Sequence, residues 1–290
     1  MRQPKKVLVL YYSQTEKTKD VIDYIIDPLR DKDDISIEEV LIEPVNPFPF
    51  PWPKVYFFSI FPECVYEVPV EIKEPVFKEN KYDLIVIGGQ VWFLSLSIPL
   101  VSFFMHKKSK IINNTKVITI LNCRKMWIHT QKRMEEFISL AGGTLVDKVL
   151  ITAQGEQMQT LTATKDNLFK SNGDCDKKWE VSPTALKQLK QQGKDLLDAL
   201  QSNKLSEEGV FTTKSTAFNN TDFDHPEMVA RKKFLQIGGV IKRLSKSKSY
   251  FRYFLTIIFL FFFFIMVFIG LPLWPLVKRL KDKKKSGTAV

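Results

Sequence analysis

The chain has 290 residues, enough for one large domain or two small ones, and a formal net charge of +11. From residue 231 onward, 14 Lys and Arg residues accompany a single acid, so the first 230 residues carry 29 basic against 31 acidic residues. A near-neutral body argues against a nucleic-acid-binding domain, which needs positive charge on its binding face. Scattered cysteines and histidines without metal-ligand spacing predict no metal site, and the odd cysteine count fits a reducing compartment.

The first predicted elements are a strand and a helix joined by a polar loop. Residues 7–10 form a continuous apolar run, typical of a strand buried on both faces, which predicts a strand over 7–11; helical spacing of apolar residues predicts a helix over 20–29. The loop between them, residues 13–18, is rich in hydroxyl side chains. Such a loop before a helix is either a capped turn or a site for a small phosphate monoester. The glycine motifs of dinucleotide-binding loops and P-loops are absent.

Further strands and helices alternate along the chain. The predicted strands span 35–41, 82–89, 116–122 and 145–152, and the predicted helices span 99–107, 127–140 and 183–200. This alternation predicts an α/β fold, a flavodoxin-like doubly wound parallel sheet of five strands in the order 2-1-3-4-5. Ligands of such sheets bind at the carboxyl ends of the strands, so the loops after the first, third and fourth strands form the predicted site.

Two of these loops carry tryptophans that suit the flat ring of FMN, while the hydroxyl loop suits its phosphate. Glycines in the loop after the third strand would let the backbone approach a ligand. For each tryptophan, a core or rim position is the alternative. The predicted FMN-binding residues are Ser13, Gln14, Thr15, Lys17, Thr18, Gly89, Gln90, Val91, Trp92, Asn122, Cys123 and Trp127.

Residues 46–62, here called the aromatic insertion, follow the second strand and are dense in proline and aromatic residues. Proline excludes a helix or central strand before Lys54. The insertion is predicted either to pack on the sheet as a satellite core or to form an apolar wall beside the ligand or a partner. Residues 154–180 are polar and are interpreted as a surface loop.

The C-terminal part predicts a membrane attachment. Residues 253–277 contain no charge, and about 20 apolar residues suffice to cross a bilayer as a helix. Basic residues on both sides would bind anionic lipid headgroups, while Pro272 and Pro275 make a re-entrant or interfacial anchor the alternative to a crossing. The predicted organisation is a flavodoxin-like domain over 1–203, a linker over 204–252, the membrane helix over 253–277 and a basic tail over 278–290.

Several motifs together resemble one known family. They are Tyr11-Tyr-Ser-Gln-Thr15, Phe48-Pro-Phe-Pro-Trp52, Gln90-Val-Trp92, Ser97-Ile-Pro99 and Cys123-Arg-Lys-Met-Trp127. These motifs make roughly residues 5–200 resemble the flavodoxin-like proteins labelled dialkylresorcinol condensing enzyme. Those proteins belong to bacterial pathways that make aryl-polyene or flexirubin-type pigments or dialkylresorcinols. The resemblance implies a partner of a ketosynthase that makes a 2,5-dialkylcyclohexane-1,3-dione, with this chain oxidising the ring to a resorcinol. Glu16 stands where the family tends to glycine.

The resemblance therefore implies an FMN-dependent oxidoreductase, an aromatase with a lipophilic substrate, on the cytoplasmic face of the inner (cytoplasmic) membrane. Arg124 or Lys125 would stabilise the enolate that forms on aromatisation. His129 is the nearest imidazole for proton transfer, although a solvent-facing helix position is the alternative. Two rival functions are a membrane-tethered electron carrier or quinone reductase and a flavin-free scaffold for the ketosynthase. Flavodoxin-like reductases often form homodimers, and this chain leaves that state open.

Overall fold

The computed structural model describes residues 3–153, 160, 164–166, 168–170, 181–205, 209–213, 224–246 and 249–265. Within these residues the chain forms one sheet with five parallel strands in the order β2-β1-β3-β5-β6. A two-residue strand, β4, pairs antiparallel with the end of β3. The strands are β1 Lys5–Tyr11, β2 Ile35–Leu41, β3 Leu84–Trp92, β4 Ser95–Leu96, β5 Lys116–Cys123 and β6 Thr144–Thr152.

The observed order differs from the predicted 2-1-3-4-5 by the presence of β4, and the five parallel strands alone follow the predicted arrangement. The sequence did not reveal β4 because two residues carry no period, and the strand exists only through its pairing with β3. The apolar run of β1 is fully buried, as expected for a parallel strand covered on both faces. The flavodoxin-like α/β sheet is thus present, with an additional hairpin at the carboxyl end of the central strand β3.

Eight α-helices and one 3₁₀-helix accompany the sheet in the described part of the chain. They are α1 Lys17–Arg30, α2 Lys54–Ser59, α3 Phe61–Val65, α4 Ile98–Met105, the 3₁₀-helix Lys107–Ile112, α5 Ile128–Leu140, α6 Pro183–Gln201, α7 Asp224–Leu244 and α8 Tyr250–Ile265. The alternating residues of β1 divide the core into two layers. Val7 and Val9 pack with α1 and α6, whereas Leu8 and Leu10 pack with α4, α5 and the aromatic insertion.

The predicted linker over 204–252 is wrong for much of its length, because described parts of it pack on the body. The backbone N–H groups of Val210 and Phe211 donate to the Asp147 carboxylate at 2.7 and 2.8 Å, and the Phe211 side chain is buried. Further on, α7 places apolar residues at helical spacing against α3. The polar composition concealed this packing, since only one face of α7 is apolar.

The helix α8 is attached to α2 and α3 through Arg252, which is 1% exposed. Its guanidinium donates to both oxygens of Glu63 at 3.0 and 3.1 Å, to the Ser59 carbonyl at 3.3 Å, and to the Oγ and carbonyl oxygen of Ser245 at 2.8 and 3.0 Å. Phe259 stacks on Phe61 with ring centroids 4.7 Å apart. The start of α8 is therefore fixed to the aromatic insertion and the short helix after it.

Residues 253–265 of the predicted membrane helix belong to α8. Residues 266–277, the basic tail over 278–290 and most of the predicted surface loop over 154–180 lie outside the described residues. Among the helices that the structure describes, none combines the length and the hydropathy needed to cross a bilayer.

Candidate functional site

The three loops predicted to form a site meet at the carboxyl edge of the sheet. Strands β1, β3 and β5 are neighbours, so the loops that follow them lie side by side. The Gln90 amide donates from Nε2 to Thr18 Oγ1 at 3.0 Å and accepts the indole N–H of Trp92 at 3.2 Å. The start of α1 and the end of β3 are thereby joined at the point where the sheet order reverses, which is where ligands of such folds bind.

The hydroxyl loop, residues 13–18, presents unsatisfied donors at the start of α1. Ser13 is 8% exposed, and within the described residues its buried Oγ has no hydrogen-bond partner. Glu16, the N-cap residue, is in the left-handed region with φ 58° and provides no side-chain cap. An uncapped helix N-terminus carries partial positive charge, and an unpaired buried hydroxyl is costly. The loop therefore favours an anion as its ligand.

Within the hydroxyl loop, the Gln14 side chain is held by other parts of the chain. The Gln14 Nε2 donates to the carbonyls of Phe48 and Pro49, each at 3.3 Å, and its Oε1 accepts the indole N–H of Trp52 at 2.7 Å. Its amide is thus committed to the aromatic insertion. Thr15 is half-buried and Lys17 is the first residue of α1, so both remain at the helix start.

The two glycines at the end of β3 have a packing role that the sequence analysis did not predict. A methyl group on Gly88 would collide with the end of the Ile22 side chain on α1, and one on Gly89 would collide with Leu100 on α4. The absent side chains therefore allow helices to approach the sheet from both faces. The sequence predicted that these glycines let the backbone approach a ligand, and that prediction does not account for their packing against α1 and α4.

Trp92 belongs to an aromatic cluster that the chain builds itself. It is 7% exposed and makes edge-to-face contacts with Tyr12, Phe48 and Trp52 at centroid distances of 5.8, 5.2 and 5.5 Å. Trp52 is 2% exposed. The aromatic insertion therefore packs as a core, which is one of the two predicted alternatives, and its contacts with Gln14 and Trp92 place it beside the loops after β1 and β3. Val91 packs against the same core.

The loop after β5 combines a buried amide, a buried thiol and two cations. Within the described residues the Oδ1 atom of Asn122 is buried without a hydrogen-bond partner. Burial, and secondly the charge of Glu227, raise the pKa of the Cys123 thiol, which is therefore a neutral core residue. Burial lowers the pKa of Arg124. Lys125 and Trp127 complete the loop, and the Trp127 ring packs partly buried against the core.

His129 faces charged side chains at the start of α5. Its pKa is lowered to about 4, first by burial and then by the charges of Arg231 and Arg133, while Glu67 and Glu136 act in the opposite direction. The His129 Nε2 lies 3.9 Å from Glu67 Oε1, which is beyond a hydrogen bond. Glu67 is held by the Arg133 guanidinium at 2.6 to 3.1 Å. His129 is consequently neutral at pH 7 and a weak base.

Two residues of α7 contact the site loops and were not predicted from the sequence. Glu227 accepts backbone hydrogen bonds from the first residues of α5, and Arg231 donates to the β3–β4 turn. Both lie in the segment predicted as a linker. The only local signal was an acid and a base four residues apart on an amphipathic helix, a pattern that many surface helices share.

Comparisons with known proteins found only structural likenesses. No protein-family model matches the chain, and no curated protein matches it. A flavoprotein in complex with FMN from Lactobacillus acidophilus NCFM is 20% identical, aligns over 50% of this chain and 93% of its own, and has a TM-score of 0.41. A WrbA-like flavodoxin from Agrobacterium tumefaciens is 10% identical, aligns over 69% and 99%, and has a TM-score of 0.41. Since these TM-scores are below 0.5, the fold assignment rests on the sheet topology.

Proposed function

We propose that this protein binds FMN at the carboxyl edge of its sheet and acts as a redox protein. The observation that carries the proposal is the buried Ser13 Oγ, which lacks a partner among the described residues and lies at the uncapped N-terminus of α1. A phosphate monoester would accept from this hydroxyl and from the helix amides, which removes the cost of leaving them unpaired.

The residues present fit both ends of FMN. Ser13, Thr15 and Thr18 would hold the phosphate, with Lys17 adding a positive charge. Asn122 Oδ1, which has no partner among the described residues, and the Trp127 ring would border the isoalloxazine, while Trp92 supports that side from within the aromatic cluster. When bound, FMN supplies the two-electron acceptor that oxidation of an organic substrate requires.

The finer proposal is aromatisation of a 2,5-dialkylcyclohexane-1,3-dione to a dialkylresorcinol. The dione would lose its acidic ring proton to water and a second hydrogen, as a hydride, to bound FMN. The cations Arg124 and Lys125 on the loop after β5 would stabilise the negative charge of the enolate that forms. The aromatic insertion supplies an apolar surface for the alkyl chains. A ketosynthase, as the resemblance implies, would produce the dione.

His129 receives no catalytic role in this proposal. A pKa of about 4 leaves it neutral at pH 7 but makes it a weak base. Its imidazole also faces the Glu67–Arg133 pair.

We further propose that α8 begins the membrane attachment. Its outward face carries exposed apolar side chains, whereas the opposite face holds the buried Arg252. The exposed residues are Phe251, Phe254, Ile257, Ile258 and Phe261. A soluble protein rarely leaves such a stripe uncovered, and in the sequence the apolar run continues to residue 277 with basic residues on both sides. The full chain should float with vesicles that contain anionic lipid, and recovery in the pellet would contradict the attachment.

The test of cofactor binding is titration of the detergent-purified full chain with FMN, followed by flavin absorbance and fluorescence quenching. Ser13→Ala should weaken binding about tenfold or more, because it removes a hydrogen bond to a charged group. Ser36→Ala, which changes an exposed serine of β2, is the matched control and should leave the affinity unchanged. If the wild-type protein causes no change in flavin absorbance or fluorescence, it binds no FMN, which would instead favour the scaffold function.

The test of the reaction uses the FMN-loaded full chain under anaerobic conditions. Addition of the dialkyl dione should bleach the flavin absorbance and yield one resorcinol per flavin. Bleaching by reduced electron donors or quinols but not by the dione would contradict the aromatase and support the electron carrier or quinone reductase.

A further inference from the structure

Helix α7 contacts two of the three site loops through side chains one helical turn apart. Glu227, 2% exposed, accepts the backbone N–H groups of Ile128 and His129 at 3.2 and 2.8 Å. These are the first two residues of α5, whose own N-cap residue, Trp127, provides no side-chain cap. A carboxylate at this position satisfies helix N–H groups and interacts favourably with the helix dipole. The end of the loop after β5 is therefore fixed from α7.

Arg231 fixes the other loop. Its NH1 group donates to Ser95 Oγ at 2.8 Å and to the Leu94 carbonyl at 3.2 Å, and its NH2 group donates to the Val65 carbonyl at 3.4 Å. The first two contacts are with the turn between β3 and β4, and the third is with the end of α3. One guanidinium thus joins the loop after β3 to the end of α3.

The turn that Arg231 contacts has an unfavourable backbone. Phe93 and Leu94 are its two central residues, and both have positive φ, 48° and 62°. A two-residue hairpin with two positive φ angles normally contains Asn and Gly, because bulky residues are strained there. Such a turn persists only when surrounding contacts hold it. Here the Phe93 ring packs against Phe57 at 4.9 Å and against Phe61 at 5.9 Å, and Arg231 binds the carbonyl of Leu94.

We propose that Glu227 and Arg231 are positioning residues that hold the loops after β3 and β5 in the geometry that binds FMN. This inference rests on the proposed function. It assigns α7 to the cofactor site, although α7 lies far along the chain from the loops that it holds.

The experiment compares Arg231→Met and Glu227→Gln with two matched controls in the full chain. Lys232→Met removes a positive charge from an exposed neighbour on α7, and Glu71→Gln neutralises an exposed carboxylate elsewhere. Arg231→Met should raise the FMN dissociation constant about tenfold or more and change the visible circular dichroism of bound flavin. Arg231→Lys should recover part of the affinity, and both controls should bind like the wild type.

A second measurement does not depend on FMN. Amide hydrogen exchange of the apoprotein should become faster at 93–97 in Arg231→Met and at 128–130 in Glu227→Gln, but not in the controls. If wild type binds FMN and both variants bind it as tightly as the controls, the positioning role is wrong while the proposed function stands. If wild type binds no FMN, the proposed function fails, and unchanged exchange in both variants would also refute the loop-holding role. If Arg231→Met unfolds, Arg231→Lys gives the same comparison.

Discussion

The hydroxyl loop and the aromatic side of the site are built in different ways. Residues 13–18 take their shape from the end of β1 and the start of α1, which are adjacent in the chain. The aromatic side combines the insertion, the β3–β4 turn and the C-terminal helices α7 and α8, which are separated by up to about two hundred residues. The comparison indicates that the proposed phosphate side of the site is encoded locally, whereas the aromatic side depends on long-range packing.

The largest effect is expected at the attachment of α8. Arg252→Met should lower the free energy of unfolding by about 3 kcal/mol or more, since it leaves Glu63 with no counter-charge in a buried site. Urea unfolding of the full chain in detergent measures this change. Arg243→Met, on the exposed side of α7, is the control and should change little. Equal loss in both variants would show that the buried pair is not responsible.

The next effect is a pH dependence of the stability, which is expected from His129 on the aromatic side of the site. The folded pKa of His129, about 4, lies below its ordinary 6.5 because of burial and then the charge of Arg231, with Arg133 adding to the depression and Glu67 and Glu136 opposing it. The folded state binds fewer protons than the unfolded state between these values. Stability is therefore full above pH 6.5 and falls towards pH 4, by up to about 3 kcal/mol.

The test measures the free energy of unfolding from pH 7 to pH 4 for the wild-type protein and for His129→Gln. The variant should lose that part of the pH dependence and keep the rest. An identical pH profile in both proteins would show that His129 does not carry it.

A smaller effect is expected at the joint between the two regions. Trp52→Phe keeps an aromatic ring but removes the N–H that donates to Gln14, leaving the Gln14 Oε1 atom without that bond, at a cost of about 1 to 2 kcal/mol. A double-mutant cycle with Gln14→Ala should give a coupling energy of similar size. Strict additivity of the two changes would mean that the hydroxyl loop and the insertion are energetically independent.

The smallest effect is expected within the hydroxyl loop. Glu16→Gly relieves a left-handed backbone conformation, which should stabilise the chain by about 1 kcal/mol, and removes a carboxylate from the proposed phosphate site. FMN affinity should therefore rise. Asn114→Gly, at another position with positive φ, controls for the backbone effect alone. Weaker FMN binding in Glu16→Gly would place the phosphate elsewhere.

Much of the sheet and of the site was predictable because its signals are local. Continuous apolar runs identified four of the five parallel strands and partial alternation identified β2, and the strand ends placed the three loops at one edge. The β4 strand, the contact of Gln14 with the insertion and the packing role of Gly88 were not predictable, since each depends on a partner distant in sequence.

The sequence alone determined the parallel order and the hydroxyl loop before α1, because burial on both faces and helix-start chemistry leave a short-range pattern. Only the tertiary structure decided that the aromatic insertion packs against Trp92, and that the segment interpreted as a linker contributes Glu227 and Arg231 to the site loops. The physical reason is that composition does not encode where one face of an amphipathic helix packs. That position depends on which buried donors and apolar surfaces the rest of the fold leaves uncovered.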